Sequence, residues 1–433
     1  MSTSGSQAGR SALAHLAAAV RPVGVLAVAA GIVAALVFGA RGHWFSPIDD
    51  ERVVDPPASY SELEKKIARA HAGDLIDIPA GTFAIGHAVH VRARGVTLKG
   101  AGIGKTVLDF RRQREGLQGL EVTAPGALIA DLTLRNAQGD GIVVKTGREI
   151  SLRRVRVDWT GARPPDAGSV GIRVAQLQDM LIDRVEVYGA RDAGLFITQA
   201  RQVIVQVTSG AAATVGMVVS NCEFVDVTRS LFTHNSIGVL VLNAPNLAPA
   251  ISNSVRVFKN RIVDNTLTNV TASPGVLSSL PAGVGVAVVA HDRVAIFDND
   301  ISGNGSTGVL VASYLLTNLP YQDPAFDAFA ESVHIHDNRF ARNGFAPGSE
   351  ALKLANSFLP PGYLGDIMRD GFSDSFKLVN GRLPDALRLC LHDNGAARFV
   401  DLDATEDFSR PTIDARGYDC KLPPLREVLI TPR

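Results

Sequence analysis

The chain has 433 residues, of which 46% are hydrophobic and 20% are charged. Such a composition excludes a disordered chain, because it supplies enough apolar side chains for a large packed core. Lysine plus arginine equals aspartate plus glutamate at 43 each, so no net charge favours nucleic acid as a partner. The three cysteines follow no zinc-binding pattern, but Cys390 and Cys420 can pair in an oxidising compartment.

An uncharged apolar run of eighteen residues lies near the N-terminus, from Val23 to Ala40. It is long enough to span a membrane, and Arg10 and Arg21 before it predict a cytoplasmic N-terminus. A cleaved signal peptide is the alternative. We expect residues 1–42 to be a cytoplasmic tail with a transmembrane anchor or signal, which makes the protein membrane-anchored and extracytoplasmic, in the periplasm or cell envelope.

The next segments predict a tether, one short helix and a long series of strands. Residues 43–58 are polar and contain prolines, as expected of a linker. Residues 59–73 predict a capping helix, because Ser61 and Glu64 form a capping box. From residue 74 to 355, short runs rich in Val, Ile and Leu alternate with period two between turn residues, which predicts β-strands.

A glycine-led apolar segment recurs through this region with steps of 22, 30, 23, 22, 22, 47 and 23 residues. A unit of about 22 residues that repeats with insertions predicts a solenoid, in which each coil stacks on the last. The steps do not fit a β-propeller, and the leucine-rich-repeat consensus is missing. We therefore predict an all-β fold, a right-handed parallel β-helix with a short N-terminal capping helix. The glycines that lead the segments are Gly119, Gly141, Gly171, Gly194, Gly216, Gly238, Gly285 and Gly308.

Asparagines recur in phase in the later coils. Equivalent strands of adjacent coils lie about 4.8 Å apart, so residues kept in phase stack on their own copies. Asparagine tolerates the left-handed backbone region, and its amide can bond to the amides above and below. The spacing of 39 residues predicts two ladders, formed by Asn260, Asn299 and Asn338 and by Asn265, Asn304 and Asn343.

The outward face of the glycine-led strands is mostly apolar. It contains Val218, Leu240 and Leu310, each two residues after a coil glycine. Such a face is covered either by other parts of the chain or by a partner. We expect cover by the long loops at Asn243–Asn253, Thr266–Gly283 and Ser313–Ser332.

Periodicity fades after Glu350. The stretch ALKLAN, Ala351–Asn356, predicts a last strand, and residues 356–433 predict an irregular C-terminal segment that caps the last coil and packs along the β-helix.

The stretch GAGIGKT at Gly100–Thr106 resembles a phosphate-binding loop, but Lys99 stands where the pattern requires glycine. The following VLDF reads as a strand, whereas such a loop must open a helix. We therefore predict no nucleotide partner.

Residues 74 to about 430 resemble the bacterial parallel β-helix repeat family related to pectate lyases and mannuronan C5-epimerases. The matching stretches are DLIDIPAGTF, VTLKGAGIGKTVLDF, VRVDWTG, GARDAGLFITQ, NSIGVLVLNAPNL, VRVFKNRIVDN, LPAGVGVAVVAHDRVAIFDN and DIMRDG. The resemblance implies an exported β-helix whose relatives handle acidic polysaccharides. It also places a cysteine pair in the C-terminal segment, where Cys390 and Cys420 lie.

Three residues are candidates for catalysis. Asp192 lies beside Arg191 in GARDAG, and Asp140 lies in GDG. A carboxylate can act as a base and an arginine can neutralise a sugar carboxylate. Both positions also suit turns: Asp-Gly is a turn dipeptide, and the column of Asp192 otherwise holds Ser and Thr.

Five residues near the inserted loops are candidates for substrate binding. His291 and Asp292 end a strand beside the loops, and Tyr314, Tyr321 and Asp323 lie in the longest loop, where the rings can stack on a sugar. Packing within the turn is the alternative for the tyrosines.

Two functions remain open. The first is an envelope-anchored protein that interacts with acidic polysaccharide, with lyase or C5-epimerase chemistry if it is an enzyme. The second is a non-catalytic β-helix scaffold that binds glycan or protein. No metal-ligand set is predicted; Ca²⁺ is compatible with the first function, but the sequence requires no cofactor.

Overall fold

The structure is a computed structural model that describes residues 57–159, 167–211, 213–249, 252–269 and 275–430. The predicted tail and anchor, residues 1–42, and nearly all of the predicted linker lie outside the described residues. Among the helices of the described parts, none is long and apolar enough to cross a membrane.

The described chain contains 28 strands and three α-helices. The helices are α1 (Pro57–Ala68), α2 (Val276–Ser279) and α3 (Glu350–Ser357). The first fourteen strands are β1 (Leu75–Asp77), β2 (Gly81–Ala84), β3 (His87–Val91), β4 (Thr97–Lys99), β5 (Thr106–Asp109), β6 (Glu115–Val122), β7 (Leu128–Arg135), β8 (Ile142–Asp158), β9 (Val170–Asp183), β10 (Glu186–Tyr188), β11 (Ala193–Thr198), β12 (Arg201–Gln206), β13 (Ser209–Ala211) and β14 (Val215–Ser220). The others are β15 (Glu223–Thr228), β16 (Leu231–Thr233), β17 (Ile237–Leu242), β18 (Asn253–Phe258), β19 (Arg261–Val263), β20 (Val284–Val289), β21 (Val294–Phe297), β22 (Asp300–Ser302), β23 (Thr307–Ala312), β24 (Val333–His336), β25 (Arg339–Ala341), β26 (Ile367–Arg369), β27 (Cys390–His392) and β28 (Phe399–Asp401).

The strands stack in parallel from coil to coil. In the glycine-led column, Ile197 of β11 lies beside Val219 of β14, which lies beside Val241 of β17. Two further columns, β12–β15–β18–β21–β24–β27 and β10–β13–β16–β19–β22–β25, stack in the same way. Parallel crossovers of this kind are right-handed. The predicted right-handed parallel β-helix is confirmed.

The stacking extends beyond residue 355, where the sequence places the end of the β-helix. Strand β26 pairs with β23, β27 with β24, and β28 with β26. Between β25 and β26, the stretch predicted as a last strand is helix α3, and that prediction is wrong. Ser349 caps the helix by accepting from the Leu352 N–H at 3.3 Å. This N-cap stabilises the first turn of a helix where the sequence pattern predicts a strand.

The coil glycines are required by close approach between coils. A Cβ at Gly216 would lie 2.6 Å from the carbonyl oxygen of Gly238, and a Cβ at Gly194 would lie 2.6 Å from that of Gly216. Real Cβ atoms do not approach an oxygen this closely, so only glycine fits at this corner of each coil.

The asparagine ladders are present, and they are buried. Asn260 donates from Nδ2 to Asn299 Oδ1 at 3.1 Å, and Asn299 donates in the same way to Asn338 at 2.9 Å. The left-handed residue of each turn is not the asparagine. It is the residue before, such as Lys259 at φ 56° or Asp298 at φ 55°.

Helix α1 closes the N-terminal end of the solenoid. Leu63 and Ile67 are 7% and 8% exposed and join the apolar interior of the β-helix. The predicted short N-terminal helix is confirmed, and it covers the first coil as a solenoid end requires. It begins at Pro57 and ends at Ala68, so the predicted start at a Ser61–Glu64 capping box is wrong, because both residues lie inside the helix.

The apolar outward face of the glycine-led column is covered by the protein itself, as expected. Val218, Leu240 and Leu310 are at most 1% exposed. They belong to a second apolar cluster with residues of the inserted loops and α3, namely Leu280, Tyr314, Phe326, Ala328, Leu352 and Ala355. This face is therefore closed to a substrate or partner.

The C-terminal segment returns along the β-helix. Cys390 of β27 and Cys420 form a disulfide. From there the chain runs back until the Val428 N–H meets Asp226 Oδ2 of β15 at 3.3 Å. The glycine-rich segment Gly100–Thr106 leads directly into β5, a strand and not a helix.

Candidate functional site

The predicted catalytic residues close turns. Asp140 accepts from the Val170 N–H at 3.1 Å and from Arg173 Nε at 2.5 Å. Asp192 accepts from Ser169 Oγ at 2.7 Å and is paired with Arg191 at 3.1 Å. The bonds from Ser169, Val170 and Arg173 join neighbouring coils, so they fix the corner that precedes the glycine-led strands, whereas the Arg191–Asp192 pair lies within one coil.

The predicted substrate-binding residues hold the loop cover in place. Tyr314 is 5% exposed, and its ring packs edge-to-face against Tyr321 and Phe326 at centroid distances of 5.7 and 5.1 Å. Asp323 accepts from the Asn246 N–H at 2.8 Å, which ties two loops together. His291 is fully buried, and burial lowers its pKa to about 4, so the ring is neutral and unsuited to acid–base exchange with a surface ligand.

Asp292 lies near an open groove, and Tyr321 is itself 36% exposed. The Oδ1 atom of Asp292 accepts from the Glu331 N–H at 3.1 Å. Glu331 lines a groove of about 1050 Å³ between the end of β23 and the C-terminal segment. We call this the C-terminal groove. Its lining comprises residues 311–313, 329–331, 369–370, 372–374, 378–379, 381–385, 387–389, 414 and 416–418.

The floor of the C-terminal groove is polar and largely buried. Arg369 donates from Nη1 to the Tyr418 hydroxyl at 2.8 Å, and that hydroxyl donates to Asp401 Oδ2 at 2.9 Å. Asp370 is 2% exposed and accepts from the Ser313 N–H at 2.6 Å and the Phe372 N–H at 3.1 Å. Burial raises the pKa of Asp370 to about 6 and raises that of Tyr418.

The rim of the groove carries three arginines. Arg416 is exposed and pairs with Asp414 at 2.6 Å. Arg388 is half-buried, pairs with Asp385 at 3.0 Å and also donates to Gly417 O. Arg382 is exposed, and in the described part of the chain no ion pair involves it. Because solvent screens exposed charges, the guanidinium groups of Arg382 and Arg416 can turn to a bound anion at small cost.

Apolar side chains stand between the arginines. Leu378, Val379, Leu383 and Leu387 line the same wall. An antiparallel bridge joins Val379 to Arg382, and its turn uses left-handed Asn380 and Gly381. Leu378 precedes this bridge, and Leu383 and Leu387 follow it. A wall that combines apolar side chains with guanidinium groups suits a ligand that has both apolar surfaces and anionic groups.

The residues of this groove were missed from the sequence. Arg369 and Asp370 belong to the stretch DIMRDG, which carried part of the family resemblance. That stretch was the available signal. Tyr418 and Arg382 lie in segments without regular structure, where no sequence periodicity indicates that both line one groove.

The groove floor provides a cation and a proton donor. Arg369 can neutralise a carboxylate, and the raised pKa of Tyr418 keeps its hydroxyl protonated at neutral pH. The carboxylates of Asp370 and Asp401 are held by backbone or tyrosine donors. The arrangement therefore suits recognition of an anion better than removal of a carbon-bound proton.

Comparison with known proteins supports the fold. Residues 116–275 match the family described as the right handed beta helix region. No curated protein is similar enough in sequence to be counted as a relative.

Several solved structures are similar to the chain at low identity. One is the A-module of mannuronan C-5 epimerase AlgE4 from Azotobacter vinelandii, with 16% identity, 77% of this chain and 90% of that chain covered, and a TM-score of 0.47. Another is the N-terminal fragment of gene product 12 of bacteriophage Phi29, with 12% identity, 80% and 63% covered, and a TM-score of 0.49. A third is a PL6 alginate lyase, with 13% identity, 74% and 78% covered, and a TM-score of 0.40.

These likenesses concern the fold. The resemblance predicted from the sequence is confirmed at that level: the chain is a right-handed parallel β-helix, and residues 116–275 carry the sequence pattern of that family.

Proposed function

We propose that the protein binds an acidic polysaccharide in the C-terminal groove. The observation that carries the proposal is the rim of arginines, with Arg382 and Arg416 exposed and Arg388 half-buried, among apolar side chains that line a groove of about 1050 Å³. Sugar rings offer apolar faces, and uronates add one carboxylate per ring, which an arginine fork can bind through two hydrogen bonds.

Binding without catalysis is favoured over lyase or epimerase chemistry. Both reactions need a base for the proton at C5 of the uronate, together with a cation beside the carboxylate. Arg369 supplies the cation, but burial raises the pKa of Tyr418 and so disfavours a tyrosinate base. Asp370 is 2% exposed and is held by two backbone N–H groups.

The test is a binding measurement on the full chain in detergent micelles. Titration calorimetry with alginate and polygalacturonate, and with neutral dextran as the control polymer, should show binding to the two acidic polymers alone. The double variant Arg382→Ala, Arg416→Ala should bind about tenfold more weakly or worse, since two charged contacts are lost. Arg69→Ala, an exposed arginine just after α1 at the opposite end of the solenoid, should bind as the wild type does.

Equal binding to dextran, or an unchanged affinity of the double variant, would contradict the proposal. The same incubations report on the second candidate function. Unsaturated uronate or epimerised residues in the recovered polymer would establish catalysis, and loss of that product in Tyr418→Phe would place it in this groove.

The same proposal includes an extracytoplasmic location with residues 23–40 as the membrane anchor. Its support is the apolar run itself and the Cys390–Cys420 disulfide, since such bonds persist in oxidising compartments. Cell fractionation should find the chain in membranes, and a variant without residues 1–42 should leave that fraction. Free thiols at both cysteines in protein isolated with a thiol trap would contradict this location.

A further inference from the structure

Three carboxylates meet beside the C-terminal groove, away from the residues assigned to polysaccharide binding. Asp292 follows β20, while Asp327 and Glu331 lie in the loop Ser313–Ser332. One oxygen from each lies within 4.8 Å of the others. The backbone fixes two of them, because Asp292 Oδ1 accepts from the Glu331 N–H at 3.1 Å and Asp327 Oδ1 accepts from the Phe329 N–H at 3.0 Å.

The positive charge at this cluster is smaller than the negative charge. Lys377 donates to Asp327 Oδ2 at 2.5 Å and to Glu331 Oε2 at 2.7 Å. Asp374, on the same segment as the lysine, adds a fourth carboxylate at 3.7 Å from its ammonium. The cluster thus holds four carboxyl groups and one ammonium, which contacts three of them. Carboxylates packed this closely repel one another unless cations or protons compensate.

An independent observation supports a ligand at the cluster. Glu331 is 2% exposed, and in the described chain its Oε1 has no hydrogen-bond partner. A buried carboxylate oxygen without a donor is costly, and native structures almost always supply one. The oxygen belongs to the same carboxylate whose Oε2 accepts from Lys377, so a donor or cation that reaches it lies at this cluster.

We propose that Asp292, Asp327 and Glu331 bind a divalent cation, with Ca²⁺ as the ion that fits best. Ca²⁺ takes oxygen ligands, accepts carboxylates in one- or two-oxygen mode, and completes its shell with water in irregular geometry. The ammonium of Lys377 occupies part of the same space and turns away when the ion binds. Glu331 Oε1 then becomes a ligand, and the ion offsets two of the four negative charges, where the ammonium offsets one.

The site has a structural consequence for the groove. Lys377 lies in the short helix Ser375–Lys377, next to the wall formed by Leu378 and Val379. Its bonds to Asp327 and Glu331 fasten that wall to the loop cover. When the ion binds, the bonds of Lys377 to the loop are lost. The ion then links Asp327 and Glu331 of the loop to Asp292, and the wall is no longer attached through Lys377.

The experiment is Ca²⁺ titration of the chelator-treated full chain by calorimetry, with no polysaccharide present. The wild type should bind one Ca²⁺, and Asp327→Asn should bind at least about tenfold more weakly, since one charged ligand is lost. Lys377→Met keeps the side-chain stem and removes the competing charge, so it should bind Ca²⁺ at least about tenfold more tightly. Glu350→Gln, an exposed acid on α3 outside the cluster, should match the wild type.

Absence of Ca²⁺ binding in both the wild type and Lys377→Met overturns the proposal, and so does an equal loss in Glu350→Gln. If Asp327→Asn folds poorly, Lys377→Met decides alone, because a purely structural lysine predicts no gain in Ca²⁺ affinity. The assay contains no glycan, so its outcome is separate from that of the proposed polysaccharide binding.

Discussion

Buried asparagines carry a large share of the contacts between the later coils. Each one uses its whole amide: in Asn299, Oδ1 accepts from the N–H of Asn260 at 2.9 Å, and Nδ2 donates to Asn338 and to Val257 O at 2.9 and 2.8 Å. The side chain therefore pairs backbone groups at a corner where the strands have ended. Without it, these backbone groups would be buried and unpaired.

Replacing Asn299 by alanine should lower the free energy of unfolding by about 3 kcal/mol or more. The change leaves several buried donors and acceptors without partners, at about 1–3 kcal/mol each. Chemical denaturation measures the loss. The control is Asn394→Ala at the end of the same ladder, where the side chain is half-buried and water can replace it. Equal losses at the two positions would contradict the ladder account.

Asp370 predicts a specific pH dependence of stability. Burial raises the pKa of its carboxyl from 3.8 to about 6 in the folded protein. Between pH 4 and 6 the folded state holds a proton that the unfolded state has lost, so stability falls as pH rises through this window. A shift of this size corresponds to about 3 kcal/mol.

The measurement compares urea unfolding of wild type and Asp370→Asn from pH 4 to 7. The difference between the two free energies should change by about 3 kcal/mol across the window and stay constant above it. Asp385→Asn, a carboxyl whose side chain is 96% exposed, controls for the change of one acid to an amide. A constant difference at all pH values would show that the pKa of Asp370 is the same in the folded and the unfolded protein.

Sequence periodicity reveals the stacked residues of the solenoid but not the residues of the C-terminal groove, for a physical reason. Stacking requires the same residue at the same phase, so Asn299 and Gly216 leave a repeating trace. A binding residue such as Arg382 needs only one position in space, and no repeat marks it. Asp192 was proposed for catalysis because a turn aspartate and a catalytic one look the same until its partner, here Ser169, is known.

At the scale of elements, the inserted loops and α3 form a second layer over the glycine-led strands. The stretch ALKLAN alternates apolar and polar residues like a strand, but it also places Leu352 and Ala355 three residues apart on one helical face. Both side chains pack into the second apolar cluster. The helix is favoured over a strand because it buries both side chains against the glycine-led strands. A single sequence cannot show which surface this stretch packs on.

Two leucines of α3 provide a matched test of this layer. Leu352 is 3% exposed and Leu354 is 46% exposed. Leu352→Ala should lower the free energy of unfolding by about 2–4 kcal/mol through lost burial and a cavity, while Leu354→Ala should cost less than about 1 kcal/mol. Thermal and denaturant unfolding of both variants measure the difference. Similar small losses would mean that α3 is not held by the cluster.

At the scale of the whole molecule, the C-terminal tail connects coils that are distant along the solenoid. From Cys420 to Val428 it passes four coils of the second column, a distance of about 19 Å at 4.8 Å per coil. Eight extended residues span that distance. Leu422, Leu425 and Val428 are less exposed than the residues between them, a spacing of three that fits a polyproline-type chain lying on the β-helix.

The disulfide that anchors this tail should control the stability of the C-terminal coils selectively. In a solenoid each coil contacts only its neighbours, so loss of a terminal restraint loosens the terminal coils first. Opening a loop of about 30 residues removes a restraint worth about 3–4 kcal/mol in the chain-entropy account. In the variant Cys390→Ser, Cys420→Ser, hydrogen exchange should quicken in β27 and in the tail, while β14 keeps the protection it has in the wild type. Wild type treated with reductant should show the same pattern, which controls for the serine side chains. If protection from hydrogen exchange instead falls evenly from α1 to β28, the solenoid unfolds as one unit, and the tail stabilises all coils together.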